Sequence, residues 1–379
     1  MKHIAIVVGI KTDAISLDNL PKWLKDIPEE LLDLSKENWG KGEYGLSSDI
    51  GVAYYLLKKS NTPKYKKKFT VTILTKNDIS LKVFNQFDYV IGLYDPYYYS
   101  NETKNSKNYT KYNAIIKNTK ATFFQPVQLQ KFVLNKKMYT EYLRKKGFPV
   151  LDTMYLKISD TMNTNNVLKK IKYQCDKWST NIFITKPQPG GFGIGFKKWN
   201  MAKLINNPKP LNNYLKKIQE LVRIESPLLL VQNFVPDFEH FYEVRTYWLC
   251  GKYSHSLGTI IDPASLGVSG FEKVNFAYPK SEYPSEQIVD TMEDIPEILD
   301  TKLINNLKKM GTEIIKLLPK KDPFLFRIDF GCCLHNKNVC RDYFINEIEY
   351  LPNVFPEYTR NVDVMKRIGN SILKKTNLL

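Results

Sequence analysis

Phe183-Ile184-Thr185-Lys186-Pro187-Gln188-Pro189-Gly190-Gly191-Phe192-Gly193-Ile194-Gly195 joins a short apolar run to a lysine and then to prolines and glycines. Phe183–Thr185 reads as a strand entering a turn, and strand-like residues follow, so the segment is a hairpin. Glycine lacks Cβ, so its backbone can approach a phosphate closely and offer N–H groups to it, and Lys186 adds a positive charge beside them. No helix follows and no Gly-Lys-Ser/Thr is present, which excludes the P-loop; the spacing excludes the dinucleotide fingerprint. Alone, the loop reads equally as a phosphate cradle or as a plain hairpin tip.

A second constellation lies further along the chain. Arg327-Ile328-Asp329 falls on a predicted strand, Phe324–Phe330, and Asn346-Glu347-Ile348-Glu349 on another, Tyr343–Glu349. Asn336-Lys337-Asn338 between them predicts an antiparallel hairpin. Strand residues two apart share a face, so Arg327 joins Asp329, and Glu347 joins Glu349. Three carboxylates and a guanidinium gathered on one sheet surface make a hard-oxygen set suited to Mg²⁺. The plain alternative is a solvated face of cross-strand ion pairs.

The rest of the chain supplies the frame. Residues 1 to about 128 alternate apolar runs (Ile4–Val8, Thr70–Leu74, Tyr89–Leu93) with helical stretches such as Asp49–Leu57, an α/β pattern. Tyr97–Tyr112 is polar and without period, and reads as a surface loop. Asn135–Lys146 predicts a helix stopped by Gly147, and Phe148-Pro149-Val150 restarts an extended segment. Leu228–Val235 and Glu243–Leu249 read as strands, Gly251 as a turn, and Leu303–Leu318 as a helix.

A length of 379 residues implies two or three lobes. Apolar residues make up 43%, enough for a core, and no stretch reaches the roughly 18 continuous apolar residues of a membrane span. The run Ile4–Ile10 is too short for a signal-peptide core, so export is not expected. Five cysteines, an odd number, then imply reduced thiols in the cytoplasm. The net charge of +17 raises nucleic acid, acidic membranes and anionic small molecules as partners, although abundant Lys, Asn, Ile and Tyr together also point to A/T-rich codons. Cys332, Cys333, His335 and Cys340 lack paired zinc spacing, and the cysteines read as packing thiols. His240 and His255 have no partner pattern, Trp178, Trp199 and Trp248 read as core or edge aromatics, Tyr97–Tyr99 as loop packing, and Lys66–Lys68 as a solvated turn.

Taken in order over residues 130–356, these elements resemble the ATP-grasp superfamily, and within it carboxylate-amine ligases such as the D-alanine:D-alanine ligases. Asn135-Lys136 before a helix ending at Gly147 is similar to the first nucleotide lysine, which implies that Lys136 contacts ATP phosphate. Lys186 with Gly190, Gly191, Gly193 and Gly195 resembles the second lysine and the lid over the phosphates. Leu230–Val235 resembles the hinge strand that reads adenine, so Gln232, Asn233 and Val235 are implied in nucleotide binding. For the ribose, Asp237 and Glu239 compete, and Glu239 is preferred. Glu243-Val244-Arg245 resembles the acidic-x-Arg element near the transferred phosphate or the substrate. Asp329 and Glu347 are implied as Mg²⁺ ligands, Glu347 bridging two ions. Glu349 replaces the usual Asn, adding a carboxylate that implies tighter binding or acceptance of Mn²⁺, and Asn353 replaces the Gly that follows Pro352 in D-alanine ligases.

The resemblance implies a three-lobed fold mixing α/β and α+β, with a Rossmann-like N-terminal domain at 1–128, a lid subdomain at 129–231 and a metal-bearing subdomain at 232–379. It further implies a ligase using ATP and Mg²⁺ to join a carboxylate and an amine, on a small molecule or peptide, through an acylphosphate, with Lys186, Arg245 and Arg327 catalytic. Nucleic acid and membrane are not expected as partners, and homodimers are common in the family. Two alternatives stand: an ATP-grasp small-molecule kinase resembling inositol phosphate kinases, which the +17 charge suits, and a non-catalytic ATP-grasp binding protein.

Overall fold

The computed structural model describes residues 1–8, 13–36, 45–93, 106–159, 163–188, 195–221, 228–239, 243–261, 274–279, 297–299, 301–319, 323–332, 343–354, 356 and 363–379. The first sheet has the order β4-β1-β5-β6 and is parallel, built from β1 (Lys2–Val7), β4 (Phe69–Leu74), β5 (Tyr89–Gly92) and β6 (Thr122–Phe124); β2 (Ala14–Ser16) and β3 (Gly45–Ser47) form a separate two-stranded ladder. Parallel neighbours need crossovers. Helical segments supply them: α1 (Glu29–Lys36) and α2 (Ser48–Ser60), then α3 (Leu81–Phe84), then α4 (Ser106–Asn118). Both faces of β1 are therefore covered, with Ile4 and Ile6 packing in one core and Ala5 and Val7 in another, which is why the strand reads as an unbroken apolar run. α4 corrects the expected loop at Tyr97–Tyr112, whose described part, from residue 106, is helical. Tyr112 and Ile116, four apart, are buried on one side of that helix.

From β6 the chain passes through α5 (Val127–Leu134) and α6 (Lys136–Lys145), and Gly147 follows α6 at φ +83°, a stop signal in the left-handed region. The second sheet is antiparallel, in the order β7-β10-β8-β9: β7 (Thr153–Lys157), β8 (Ile182–Gln188), β9 (Lys197–Asn200) and β10 (Leu228–Asn233). It is backed by α7 (Thr164–Trp178), α8 (Met201–Asn206) and α9 (Lys209–Leu221), with Val167, Ile171 and Cys175 of α7 meeting Phe183 and Trp199 of the sheet. The β8–β9 pairing is the hairpin expected around the glycines. β10 ends at Asn233, short of the expected Val235, which is buried beyond it.

The third sheet has the order β14-β13-β12-β11-β15-β16, from β11 (Glu243–Leu249), β12 (Lys252–Ile261), β13 (Val274–Pro279), β14 (Glu297–Leu299), β15 (Leu325–Cys332) and β16 (Tyr343–Tyr350). The tight β11–β12 turn places Cys250 and Gly251 at positive φ. One face is covered by α10 (Thr301–Leu317), where a Cβ on Gly311 would stand 2.2 Å from Trp248 Cζ2, so only glycine admits that indole. Trp248 fixes the sense of the alternation: Glu243, Arg245 and Tyr247 face away from α10. The last helix, α11 (Val364–Lys375), returns to the first sheet's α2, where Tyr55 donates to Asn370 Oδ1 at 2.7 Å. Gln125, just after β6, joins the same two regions, accepting the Phe324 N–H at 3.0 Å and donating to the Leu325 carbonyl. Trp199 and Trp248 are buried as expected and Lys66–Lys68 are exposed; Tyr97–Tyr99, His240, Cys333, His335 and Cys340 lie outside the described residues. No helix among the described residues is long and apolar enough to cross a membrane.

Candidate active site

Register across three antiparallel strands assembles the charged surface. Arg245 on β11 lies opposite Asp329 on β15, and Asp329 opposite Glu347 on β16; one row along stand Tyr247, Arg327 and Glu349. Strand alternation puts both rows on the face turned away from α10. Arg327 donates from Nε and Nη2 to the two oxygens of Asp329, each at 2.7 Å, and from Nη2 to Glu349 Oε2 at 3.0 Å. Burial opposes the guanidinium charge, but Asp329 and Glu349 outweigh it and hold Arg327 more basic than usual. Asp329, Glu347 and Glu349 each offer an oxygen within 4.8 Å of the others.

A residue that alternation assigns to the opposite face also reaches this surface. Pairing of Asp329 with Glu347 but of Phe330 with Ile345 leaves Asn346 as the extra residue of a β-bulge, and a bulge re-aims a side chain. Asn346 Nδ2 donates to Glu243 Oε1 at 2.6 Å, and its Oδ1 accepts from Lys186 Nζ at 3.4 Å. Glu243 Oε2 in turn accepts from Arg245 Nε at 3.2 Å. Burial, and then the Asp329 charge, push the Glu243 carboxyl up, against Arg245 and the Asn346 hydrogen bond.

The two lysines approach from other layers. Lys136 is the first residue of α6, capped by Asn135, whose Oδ1 accepts the Met138 N–H at 3.0 Å. Its ammonium bonds Glu347 Oε1. Burial first, then the charge of Lys186, lower the Lys136 pKa to about 7, although Glu349, Asp329 and Glu243 pull the other way. Burial lowers Lys186 to about 8 against Glu243 and Asp329. Gln188, two residues beyond Lys186, accepts the Lys137 N–H at 3.0 Å and donates to Asn135 at 3.3 Å. The extended segment that follows α6 also pairs with β16, where Ile345 N–H donates to Pro149 O at 2.8 Å.

The fold is similar to that of several solved structures. The D-cycloserine synthetase DcsG superposes with a TM-score of 0.58 at 12% identity, covering 98% of this chain and 99% of that one. The VanG D-Ala:D-Ser ligase from Enterococcus faecalis gives 0.58 at 10%, covering 98% of each chain. The ATP-grasp ligase PsnB, in complex with a phosphomimetic variant of its minimal precursor, Mg and ADP, gives 0.53 at 11%, covering 99% of each. The chain has the ATP-grasp fold. No protein-family model and no curated protein matches the sequence.

Within this ATP-grasp frame, Lys136, Lys186, Glu243, Arg245, Arg327, Asp329, Glu347 and Glu349 come together as one charged cluster. Gln232 and Asn233 end β10; Gln232 donates to Thr153 Oγ1 at 2.8 Å, while its Oε1 and Asn233 Oδ1 are buried without a protein partner among the described residues. These are free acceptors of the kind a ligand amine satisfies. Of the competing ribose candidates, Asp237 is buried, and Glu239 ends the short 3-10 turn Pro236–Glu239. Gly190, Gly191 and Gly193 lie outside the described residues. Gly195, at φ +74°, closes the segment where a Cβ would strike Ile218 and Pro187 at 2.7 and 2.9 Å. His255 is buried against Tyr247 in a parallel ring stack with centroids 4.4 Å apart, and burial lowers its pKa to about 3, so it stays neutral and serves packing.

Mg²⁺ suits the donor set: three carboxylates offer only hard oxygens, and all three are already paired with cations that a metal can replace or join. Asn346 and Gln188 are the site residues that sequence reasoning passed over. Asn346 sat inside the quoted motif, yet strict alternation placed it on the other face; Gln188 is marked only by being a polar residue two along from Lys186.

Proposed function

We propose that the protein is an ATP-dependent carboxylate-amine ligase, forming an amide or peptide-like bond and releasing ADP and phosphate. The observation that carries this reading is the convergence of Lys136 and Lys186, from separate layers, on the strand bearing Glu347 and Glu349. Lobes at 1–128, 129–231 and 232–379 are part of the proposal, with ATP between the last two. Gln232, Asn233 and Val235 would face the base, Glu239 the ribose, and the glycines with Gly190, Gly191 and Gly193 the phosphates. Asp329, Glu347 and Glu349 would hold Mg²⁺, which when bound would supply positive charge to phosphate oxygens.

The chain's own groups do the remaining work. Lys136 and Lys186 hold the polyphosphate in line and offset the charge moving onto the leaving ADP oxygen. An oxygen of the acceptor carboxylate attacks the γ-phosphorus as the bond to the ADP oxygen breaks, giving an acylphosphate. The amine then attacks the acyl carbon, phosphate departs, and the amine nitrogen gives up a proton. Arg245, steadied by Glu243, and Arg327, steadied by Asp329 and Glu349, are fixed positive groups for the phosphoryl and acyl oxygens.

Phosphorus NMR of the protein with Mg²⁺ and ATP tests the reading, with pooled amino acids and short peptides in one arm and pooled inositol phosphates in the other. Free phosphate and ADP arising only in the first arm support the ligase. A new phosphoester without matching free phosphate overturns it in favour of a kinase, and salt-sensitive nucleic-acid binding without ATP turnover in favour of a binding protein.

The two lysines also set a pH dependence. In the free protein Lys136 and Lys186 titrate near 7 and 8, and a polyphosphate anion favours both ammonium forms. Nucleotide binding above about pH 7 therefore takes up protons, and affinity falls as pH rises through this window, by at most about tenfold per pH unit for each lysine that must be charged. Calorimetry of ATP binding at about pH 8 in two buffers of different ionisation enthalpy reads the uptake directly. Buffer-independent heats would show that neither lysine titrates there.

A further inference from the structure

Gln188 is the last residue of β8, and its side chain crosses from the second sheet to α6. Lys137 lies in the first turn of that helix, where N–H groups have no partner within the helix, and Asn135 is its cap. By accepting the Lys137 N–H and donating to Asn135 Oδ1, Gln188 completes the cap from 51 positions along the chain. Both ends of its amide are used, which an ionised carboxylate, an acceptor only, would not reproduce.

This tie stands between two like charges. Lys136 is one residue from it on α6, and Lys186 two residues from it on β8, on the same strand face as Gln188. Both ammonium groups are withdrawn from solvent, where repulsion between them is weakly screened. On the far side they bond adjacent residues of β16, Lys136 to Glu347 and Lys186 to Asn346, the latter at a long 3.4 Å. The elements β8, β16 and α6 thus form a circuit: the lysine ammonium groups tie β8 and α6 to β16, and Gln188 ties β8 to α6.

We propose that Gln188 is a positioning residue for polyphosphate binding: by locking the cap of α6 to the end of β8 it holds the Lys136 and Lys186 ammonium groups at the separation that adjacent phosphates require. The inference rests on the ATP reading above. Groups pre-set in this way spare a ligand the cost of ordering them, so loss of the tie weakens phosphate contacts and leaves base contacts alone.

Two variants test it. Gln188→Leu removes both hydrogen bonds at similar volume, and Gln188→Asn keeps the amide but shortens its reach by one methylene. Calorimetry gives the affinity for ATP and for adenosine, and amide exchange in the ligand-free protein reads the Lys137 N–H. In both variants ATP affinity is expected to fall about tenfold, adenosine affinity to stay at the wild-type value, and Lys137 exchange to quicken. Faster exchange with unchanged ATP affinity would reduce Gln188 to a helix cap and overturn the proposal, as would unchanged exchange. Should Gln188→Leu fail to fold, Gln188→Asn carries the same comparison. Should the wild-type protein bind neither ATP nor adenosine, the ATP reading falls by itself, and inorganic triphosphate becomes the probe: weaker binding to the variants supports the tie, and equal binding overturns it.

Discussion

Glu347→Ala is expected to lower ATP turnover by at least about 10³-fold while leaving the protein folded. Glu347 is the carboxylate on which both sides of the site depend: it is one of three oxygen donors clustered within 4.8 Å, and it holds the Lys136 ammonium. Removing one partner of a buried ion pair ordinarily costs about 3–5 kcal/mol, because a charge is left unmatched. Lys136 has an exit from that penalty. Its pKa already stands at about 7, and without Glu347 it falls further, so the side chain sheds its proton and remains as a neutral amine. The expected loss of stability is therefore about 1 kcal/mol. Phosphate release from ATP and urea unfolding, measured on the same preparation, check the two halves separately. Glu347→Gln keeps a hydrogen-bonding oxygen for Lys136 and is expected to unfold like the wild type but to be equally inactive. Undiminished turnover in folded Glu347→Ala would remove Glu347 from the chemistry.

What could be read in the sequence was whatever follows from local period. The alternation of Arg327 with Asp329 and of Glu347 with Glu349 needs only two strands, and register then sets those rows opposite each other. The β8–β9 hairpin and the stop at Gly147 follow from glycine, whose φ is free. Asn346 escaped because a bulge is one residue of irregularity with no composition of its own: Ile345 and Glu347 pair normally on either side of it. Gln188 escaped because its partners lie 51 and 53 positions away, and no local pattern encodes a strand residue finishing a distant helix cap. The helix at Ser106–Asn118 was hidden by its polar first half, Ser106-Lys107-Asn108-Tyr109-Thr110-Lys111. Each of these depends on how layers meet, and the return of α11 to α2 belongs with them: Met365 and Tyr55 close over Gly51 and Gly369, glycines with nothing in their neighbourhood to mark them.

Asp329→Ala is expected to be the more damaging substitution for the fold. Asp329 takes both short hydrogen bonds from Arg327, and both residues are buried. Without it, among the described residues the guanidinium keeps the 3.0 Å contact to Glu349. Arginine has no neutral form within reach at working pH, so it cannot escape as Lys136 can, and the full cost of about 3–5 kcal/mol falls on the folded state. The urea midpoint is expected to drop accordingly with an unchanged slope. Asp329→Asn retains one acceptor and is expected to fall between this and the wild type. Replacing the pair together, Arg327→Met with Asp329→Leu, removes the unmatched charge as well as its partner, and is expected to recover most of the lost stability with turnover still absent. That combination separates the pair's place in the fold from its place in the chemistry. Were Asp329→Ala to unfold at the wild-type urea concentration, the row Arg245–Asp329–Glu347 would be held by its backbone ladder alone, and Arg327 would be free to turn toward the phosphates in the resting protein.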